Sequence, residues 1–145
     1  MLYFDTSFLA PLILEESTSA AVEQFVAELP VGELAISHWT RVEFSSLLAR
    51  EVRTGGLPAA AAKAAGAQFD LIAAESFLIL LPAAADYDLA REYLGRYETG
   101  LRAGDALHLA IARNHRAEAI YSLDQKRLKA GSVLGLPMSA GIRPG

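Results

Sequence analysis

Apolar residues fall along this chain in blocks that switch between two periodicities. Leu2-Tyr3-Phe4 is an unbroken apolar triplet that stops at Asp5, the pattern of a short buried strand. Leu34-Ala35-Ile36-Ser37, Phe77–Leu81 and Ala119–Leu123 read the same way, and Val133-Leu134 reads as a small fifth strand. Between these blocks the spacing becomes helical. Phe8–Leu14 fits a short helix. After Ser19, a capping residue, Val22, Phe25, Val26 and Leu29 recur at i, i+3, i+4 and i+7 until Pro30 ends the run. Thr40–Arg53 reads as a helix stopped by Gly55-Gly56. Leu57-Pro58 opens another, alanine-rich helix, since proline is tolerated in a first turn and alanine is the strongest helix former. Asp86–Tyr97 places Leu89, Ala90, Tyr93, Leu94 and Tyr97 on one face, and Asp105–Asn114 is apolar on most sides, as a central helix would be.

Strands alternating with helices predict a mainly parallel sheet with helices on both faces, an α/β domain. No repeat or long linker divides the 145 residues, so residues 1–145 read as a single domain. Hydrophobic residues make up 52% of the chain, which excludes global disorder. The lack of cysteine excludes disulfides, thiolate catalysis, zinc knuckles and iron–sulfur clusters. The longest apolar stretch, Leu71 to Ala85, is interrupted by Glu75 and Pro82, so no membrane span is expected. With no basic, apolar leader at Met1-Leu2-Tyr3-Phe4-Asp5, a cytoplasmic location is expected. A net charge of −4 argues against a protein that coats nucleic acid. It leaves room for a nuclease, whose positive field is local and is supplied partly by bound metal.

Ligands of parallel α/β sheets bind beyond the carboxyl ends of the strands, and that rule singles out four acids. Asp5 and Asp124 each directly follow an apolar strand. Asp105 follows the turn-forming Gly104 at the head of the central helix. Glu43 lies early in the helix after the second strand, between Val42 and Phe44. Four carboxylates at one sheet edge repel unless something compensates them. A hard divalent cation, Mg²⁺ or Mn²⁺, does so through carboxylate oxygens and water. A metal held that way suits phosphodiester cleavage. Each acid also has a plainer reading: Asp5, Asp124 and Asp105 can cap the helices that follow them, whereas Glu43 is harder to account for between two apolar neighbours. Asp86 and Asp88 read as helix-start residues, His108 as a core or supporting histidine, and Trp39, Tyr93 and Tyr97 as packing.

Four segments carry a family likeness: Tyr3-Phe4-Asp5-Thr6-Ser7-Phe8-Leu9, Thr40-Arg41-Val42-Glu43-Phe44, Leu101-Arg102-Ala103-Gly104-Asp105-Ala106-Leu107-His108-Leu109-Ala110, and Ser122-Leu123-Asp124. In order, spacing and overall length the chain resembles the PIN-domain family, and within it the VapC-type toxins of toxin–antitoxin pairs. The resemblance implies a three-layer α/β/α sandwich around a short central parallel sheet. It implies a Mg²⁺- or Mn²⁺-dependent endoribonuclease with Asp5, Glu43 and Asp105 as the acidic core and Asp124 as a fourth acid acting through water or a second metal. Thr6 and Ser122 match polar positions that support the acids. It also implies an RNA substrate, a homodimer and a small cognate antitoxin. Leu9, Leu12, Ile13, Leu47, Leu48 and Val52 are candidates for an apolar groove to receive that antitoxin. Arg41 and Arg102, close to the acids in sequence, and Lys126 and Arg127, after Asp124, are candidate phosphate contacts.

Three other readings compete. An aspartate-based phosphatase of haloacid-dehalogenase type wants a second acid two residues after the first, where this chain has Ser7, and a response regulator wants an acidic pair near the start, which is missing. A degenerate domain that only binds a partner would have lost an acid, and all four are present. A PIN-type RNA-processing nuclease without an antitoxin would share every feature above.

Overall fold

Side chains alternate across a strand, so a three-residue strand buried on both faces needs apolar residues throughout. In the computed structural model, which describes residues 1–143, β1 (Leu2–Phe4) meets this condition. Leu2 and Phe4 enter one hydrophobic cluster and Tyr3 enters another, on the opposite side. β2 (Leu34–Ser37) flanks β1 on one side and β4 (Ala119–Tyr121) flanks it on the other. β3 (Leu78–Leu80) and β5 (Met138–Ser139) form the edges, giving the order β3-β2-β1-β4-β5 with every pairing parallel.

The helices are α1 (Thr6–Ile13), α2 (Ser19–Ala27), α3 (His38–Arg53), α4 (Ala59–Ser76), α5 (Ala84–Leu94), α6 (Ala103–Asn114) and α7 (Gln125–Val133). Helices α1 to α4 cover the face that carries Phe4 and Ile36, and bury Phe8, Leu9, Val22, Phe44, Leu48 and Phe69 there. Helices α5 and α6 cover the other face, where Tyr3 and Ile120 meet Ala90, Leu109 and Ile111. The result is the three-layer α/β/α sandwich with a short parallel sheet. Among the described residues, no helix is long and apolar enough to cross a membrane.

Element ends differ from the sequence reading for local reasons. α1 begins at Thr6 because Asp5 caps it, accepting from the Phe8 N–H. α3 begins at His38, since Ser37 and Thr40 form a reciprocal cap. α5 stops at Leu94, and Tyr97 instead opens a single 3-10 turn. The fifth strand lies at Met138–Ser139, not at Val133-Leu134. The residues after Asp124 form α7, which runs through Val133, and Gly135 at φ +78° then turns the chain back towards β4. Gly131 permits that return, because a Cβ there would lie 2.4 Å from the Met138 sulfur.

Candidate active site

Parallel pairing brings two of the acids to one edge. Phe4 of β1 pairs with Tyr121 of β4, so Asp5 and the segment 122–124 leave the sheet side by side. Neighbouring β2 ends at Ser37, where α3 starts, and Glu43 lies about one and a half turns along it. α6 packs against the Tyr3 face and delivers Asp105 from its first turn.

Asp5 is fully buried. Its Oδ1 accepts from the Ser7 hydroxyl at 2.7 Å and from the Phe8 N–H at 3.1 Å, and its Oδ2 accepts from the Arg127 Nη1. Asp105 is partly exposed. Its Oδ1 accepts from the Arg127 Nε at 2.9 Å and also from Nη2, while Oδ2 accepts from the Arg102 N–H at 3.4 Å. One buried guanidinium therefore spans both carboxylates. Burial works against its charge, but Asp5 and Asp105 outweigh that and push its pKa further above the ordinary arginine value.

Glu43 is held differently. Its Oε1 accepts from the Thr6 hydroxyl at 2.7 Å and from the His108 Nε2, while its Oε2 lies against Gly104, next to Asp105. Burial pushes the Glu43 carboxyl up. The hydrogen bond and attraction of His108, the Thr6 bond and the charge of Arg127 outweigh it, and the carboxyl falls below its ordinary 4.5. His108 is fully buried, and its Nδ1 lies 2.7 Å from the Tyr3 hydroxyl, which is 3.0 Å from the Ser37 hydroxyl. A carboxylate only accepts, so Nε2 carries the hydrogen that reaches Glu43. Burial raises the Tyr3 pKa and keeps that phenol protonated.

Asp124 caps α7, accepting from the Lys126 and Arg127 N–H groups at 2.9 and 3.1 Å. The Asp124 N–H donates to the Ser122 hydroxyl at 3.1 Å, and that hydroxyl lies 3.2 Å from Ser7. Asp124 lines two clefts together with Glu43 and Arg127. One, of about 440 Å³, also has Thr6, Ser7 and Arg50. The other, of about 510 Å³, has Arg50, Arg102, Asp105 and Lys126.

The structure joins Asp5 to Asp105 through Arg127 and brings Glu43, Asp105 and Asp124 to one cleft, while Asp5 and Asp124 also cap α1 and α7. The Thr6 hydroxyl donates to Glu43, and the Ser122 hydroxyl accepts from the Asp124 N–H. Arg102 and Lys126 line the larger cleft. Arg41 lines neither; it is exposed and 2.9 Å from His38 Nδ1. Arg127, a candidate phosphate contact, lines both clefts but is buried and bridges two of the acids. Two residues and one role were missed. Ser7 was visible only as the third residue of Asp5-Thr6-Ser7. Arg50 was signalled by its place seven residues after Glu43, on the same helix face. The bridging role of Arg127 had no signal beyond its closeness to Asp124. Of the expected apolar groove, Leu9 and Leu48 belong to the core, and Leu12, Ile13 and Leu47 are partly buried against it.

An all-oxygen donor set suits a hard divalent cation, and the space between Asp5 and Asp105 already takes a positive group. Among the described residues, no three acidic or histidine side chains are grouped to hold an ion, and the Arg127 guanidinium lies between Asp5 and Asp105.

A parallel α/β/α sandwich with acids gathered at the carboxyl ends of its strands defines the class of protein. The chain belongs to the PIN-domain family, whose profile matches residues 2–131. No curated protein matches the sequence. Several solved structures share the fold. VapC20 of Mycobacterium tuberculosis, described as a Sarcin-Ricin loop cleaving toxin, is 24% identical with a TM-score of 0.73, over 99% of this chain and 100% of that one. The toxin–antitoxin complex from Klebsiella pneumoniae is 21% identical with a TM-score of 0.66, over 99% and 100%. VapBC-1 of nontypeable Haemophilus influenzae is 14% identical with a TM-score of 0.70, over 97% and 98%.

Proposed function

We propose that residues 1–145 work as one metal-dependent endoribonuclease domain, the toxin of a toxin–antitoxin pair, that hydrolyses RNA phosphodiester bonds. The carrying observation is that Asp5 and Asp105 share one buried cationic group, while Glu43, Asp105 and Asp124 line one cleft beside it. Membership of the PIN family and likeness in fold to VapC20 and to toxin–antitoxin complexes support the same reading. They also favour a small antitoxin as partner, and the family resemblance favours a homodimer in the cytoplasm.

Asp5, Glu43 and Asp105 would hold Mg²⁺ or Mn²⁺, which when bound lowers the pKa of a water and offsets charge on the phosphate. The protein's own part is orientation. Ser7 fixes one oxygen of Asp5, leaving the other directed into the site. Thr6 and His108 fix one oxygen of Glu43 in the same way. Asp124, held at the start of α7 by its cap bonds, would orient the attacking water. Arg50, Arg102 and Lys126 along the larger cleft give the RNA backbone a positive track in an otherwise acidic protein.

Replacing Asp5 by Asn tests this. The variant nearly keeps the shape and retains an oxygen to cap α1. Cleavage of RNA should fall by about a hundredfold to a thousandfold, the range seen when one electrostatic stabiliser is lost, and Mn²⁺ affinity should drop while the circular dichroism spectrum is unchanged. Undiminished cleavage by Asp5→Asn would remove Asp5 from the chemistry.

A further inference from the structure

We propose that Arg127 is an internal counter-ion that competes with the divalent cation, so that metal enters only when this side chain swings out. The inference rests on the metal-dependent reading above and adds a regulation of that site.

Three observations carry it. First, the Arg127 guanidinium makes ion pairs with both Asp5 and Asp105 at once, and is itself buried. Those are two of the carboxylates that would hold metal. Guanidinium and divalent ion would contend for the same oxygens, Asp5 Oδ2 and Asp105 Oδ1, and two cations cannot share so small a space without mutual repulsion. Second, the backbone of Arg127 is anchored independently of its side chain, because its N–H donates to Asp124 at 3.1 Å within the cap of α7. Release therefore needs a change of side-chain rotamers and no unfolding of the helix. Third, there is room for the released group. Arg127 lines both clefts beside the acids, and the larger is about 510 Å³. Its wall carries Arg50, Arg102 and Lys126, so the displaced guanidinium joins a cationic row suited to RNA phosphates.

The device has a stability side and a binding side. Without metal, Arg127 neutralises two like charges and holds the sheet edge together. With metal, the cation takes over that task. If the arginine-out state is populated about one time in ten, the apparent Kd for metal in the wild type is about tenfold above the intrinsic value.

The test is calorimetric titration of Mn²⁺ into the full-length protein, stripped with EDTA, for the wild type, Arg127→Gln and Arg127→Lys. Melting temperatures are read in EDTA and in Mn²⁺. Competition predicts that Arg127→Gln melts lower than wild type in EDTA, binds Mn²⁺ about tenfold more tightly, and gains more from Mn²⁺. A lysine cannot bridge both acids with a planar fork, so Arg127→Lys should fall between the two, and it serves alone if the Gln variant does not fold. Equal or weaker Mn²⁺ binding by these variants, with the wild type binding normally, would mark Arg127 as structural support and overturn the inference. Absence of Mn²⁺ binding by all three proteins would instead remove the metal-dependent reading, and this inference with it.

Discussion

Gly104 sits where a side chain would collide with the site. A Cβ there would lie 2.9 Å from Glu43 Oε2 and 3.1 Å from the Trp39 ring, whose indole N–H donates to the Gly104 carbonyl at 3.2 Å. The carboxylate is the free end of a flexible chain, so it can move aside. Alanine is also favoured over glycine within a helix by about 1 kcal/mol. Gly104→Ala is accordingly expected to leave the melting temperature within a few degrees of wild type while lowering RNA cleavage at least tenfold, as measured on purified protein. A matching loss of stability and activity would mean that Gly104 serves packing alone. Glu43 yields a second prediction at this scale. Its folded pKa is depressed, so its ionisation adds stability that is complete above the unfolded value near 4.5. That contribution is lost as pH falls through the lower folded value. In EDTA, wild type should therefore resist urea better than Glu43→Gln at neutral pH, and the gap between their midpoints should close well below pH 4.5. A gap that does not change with pH would contradict the hydrogen bonding from His108 and Thr6.

At the scale of the element, the start of α7 joins a helix cap to the lining of both clefts. Asp124 accepts from two N–H groups of its first turn and also faces both clefts. Asparagine caps about as well as aspartate, whereas alanine forfeits the cap at a cost of about 1 kcal/mol. Asp124→Asn should keep wild-type stability and lose most RNA cleavage, while Asp124→Ala should lose both. Urea unfolding set beside a cleavage assay checks this, and full activity in the Asn variant would reduce Asp124 to a cap. The same element was the hardest to read in sequence. Its start is polar, Gln125-Lys126-Arg127, and its buried positions, Arg127, Ala130 and Gly131, form no apolar stripe. The longer helices were plain because their own 3.6-residue spacing specified the buried face. Their first residues were missed by two positions at α1, α3, α5 and α6, since capping bonds rather than hydropathy set those ends.

At the scale of the molecule, the two cores lie on opposite faces of one short sheet and share its strands. Phe4 anchors one side, stacked on Tyr121 with ring centroids 4.9 Å apart. Trp39, the one tryptophan in the sequence, packs against the other side. Strands only two to four residues long have little stability apart from both helical layers. Phe4→Ala should cost about 3–5 kcal/mol and shift the Trp39 fluorescence transition and the circular dichroism transition together in urea. Separate midpoints would show that the two layers unfold independently.

The sequence by itself determined the layer architecture. Apolar triplets and helical stripes are local patterns, and a strand buried on both faces leaves no alternative to helices above and below it. It also singled out the four acids as candidates, Asp5 and Asp124 after strands, Asp105 at a helix start and Glu43 early in a helix, near the edge where parallel sheets bind ligands. Only the tertiary structure decided how those charges are compensated. That Arg127 lies between Asp5 and Asp105, or that His108 links Tyr3 to Glu43, depends on pairs separated by 22 to 122 residues. No periodicity encodes such contacts. They arise when the sheet register sets strand ends side by side and long, charged side chains find the only partners that repay their burial.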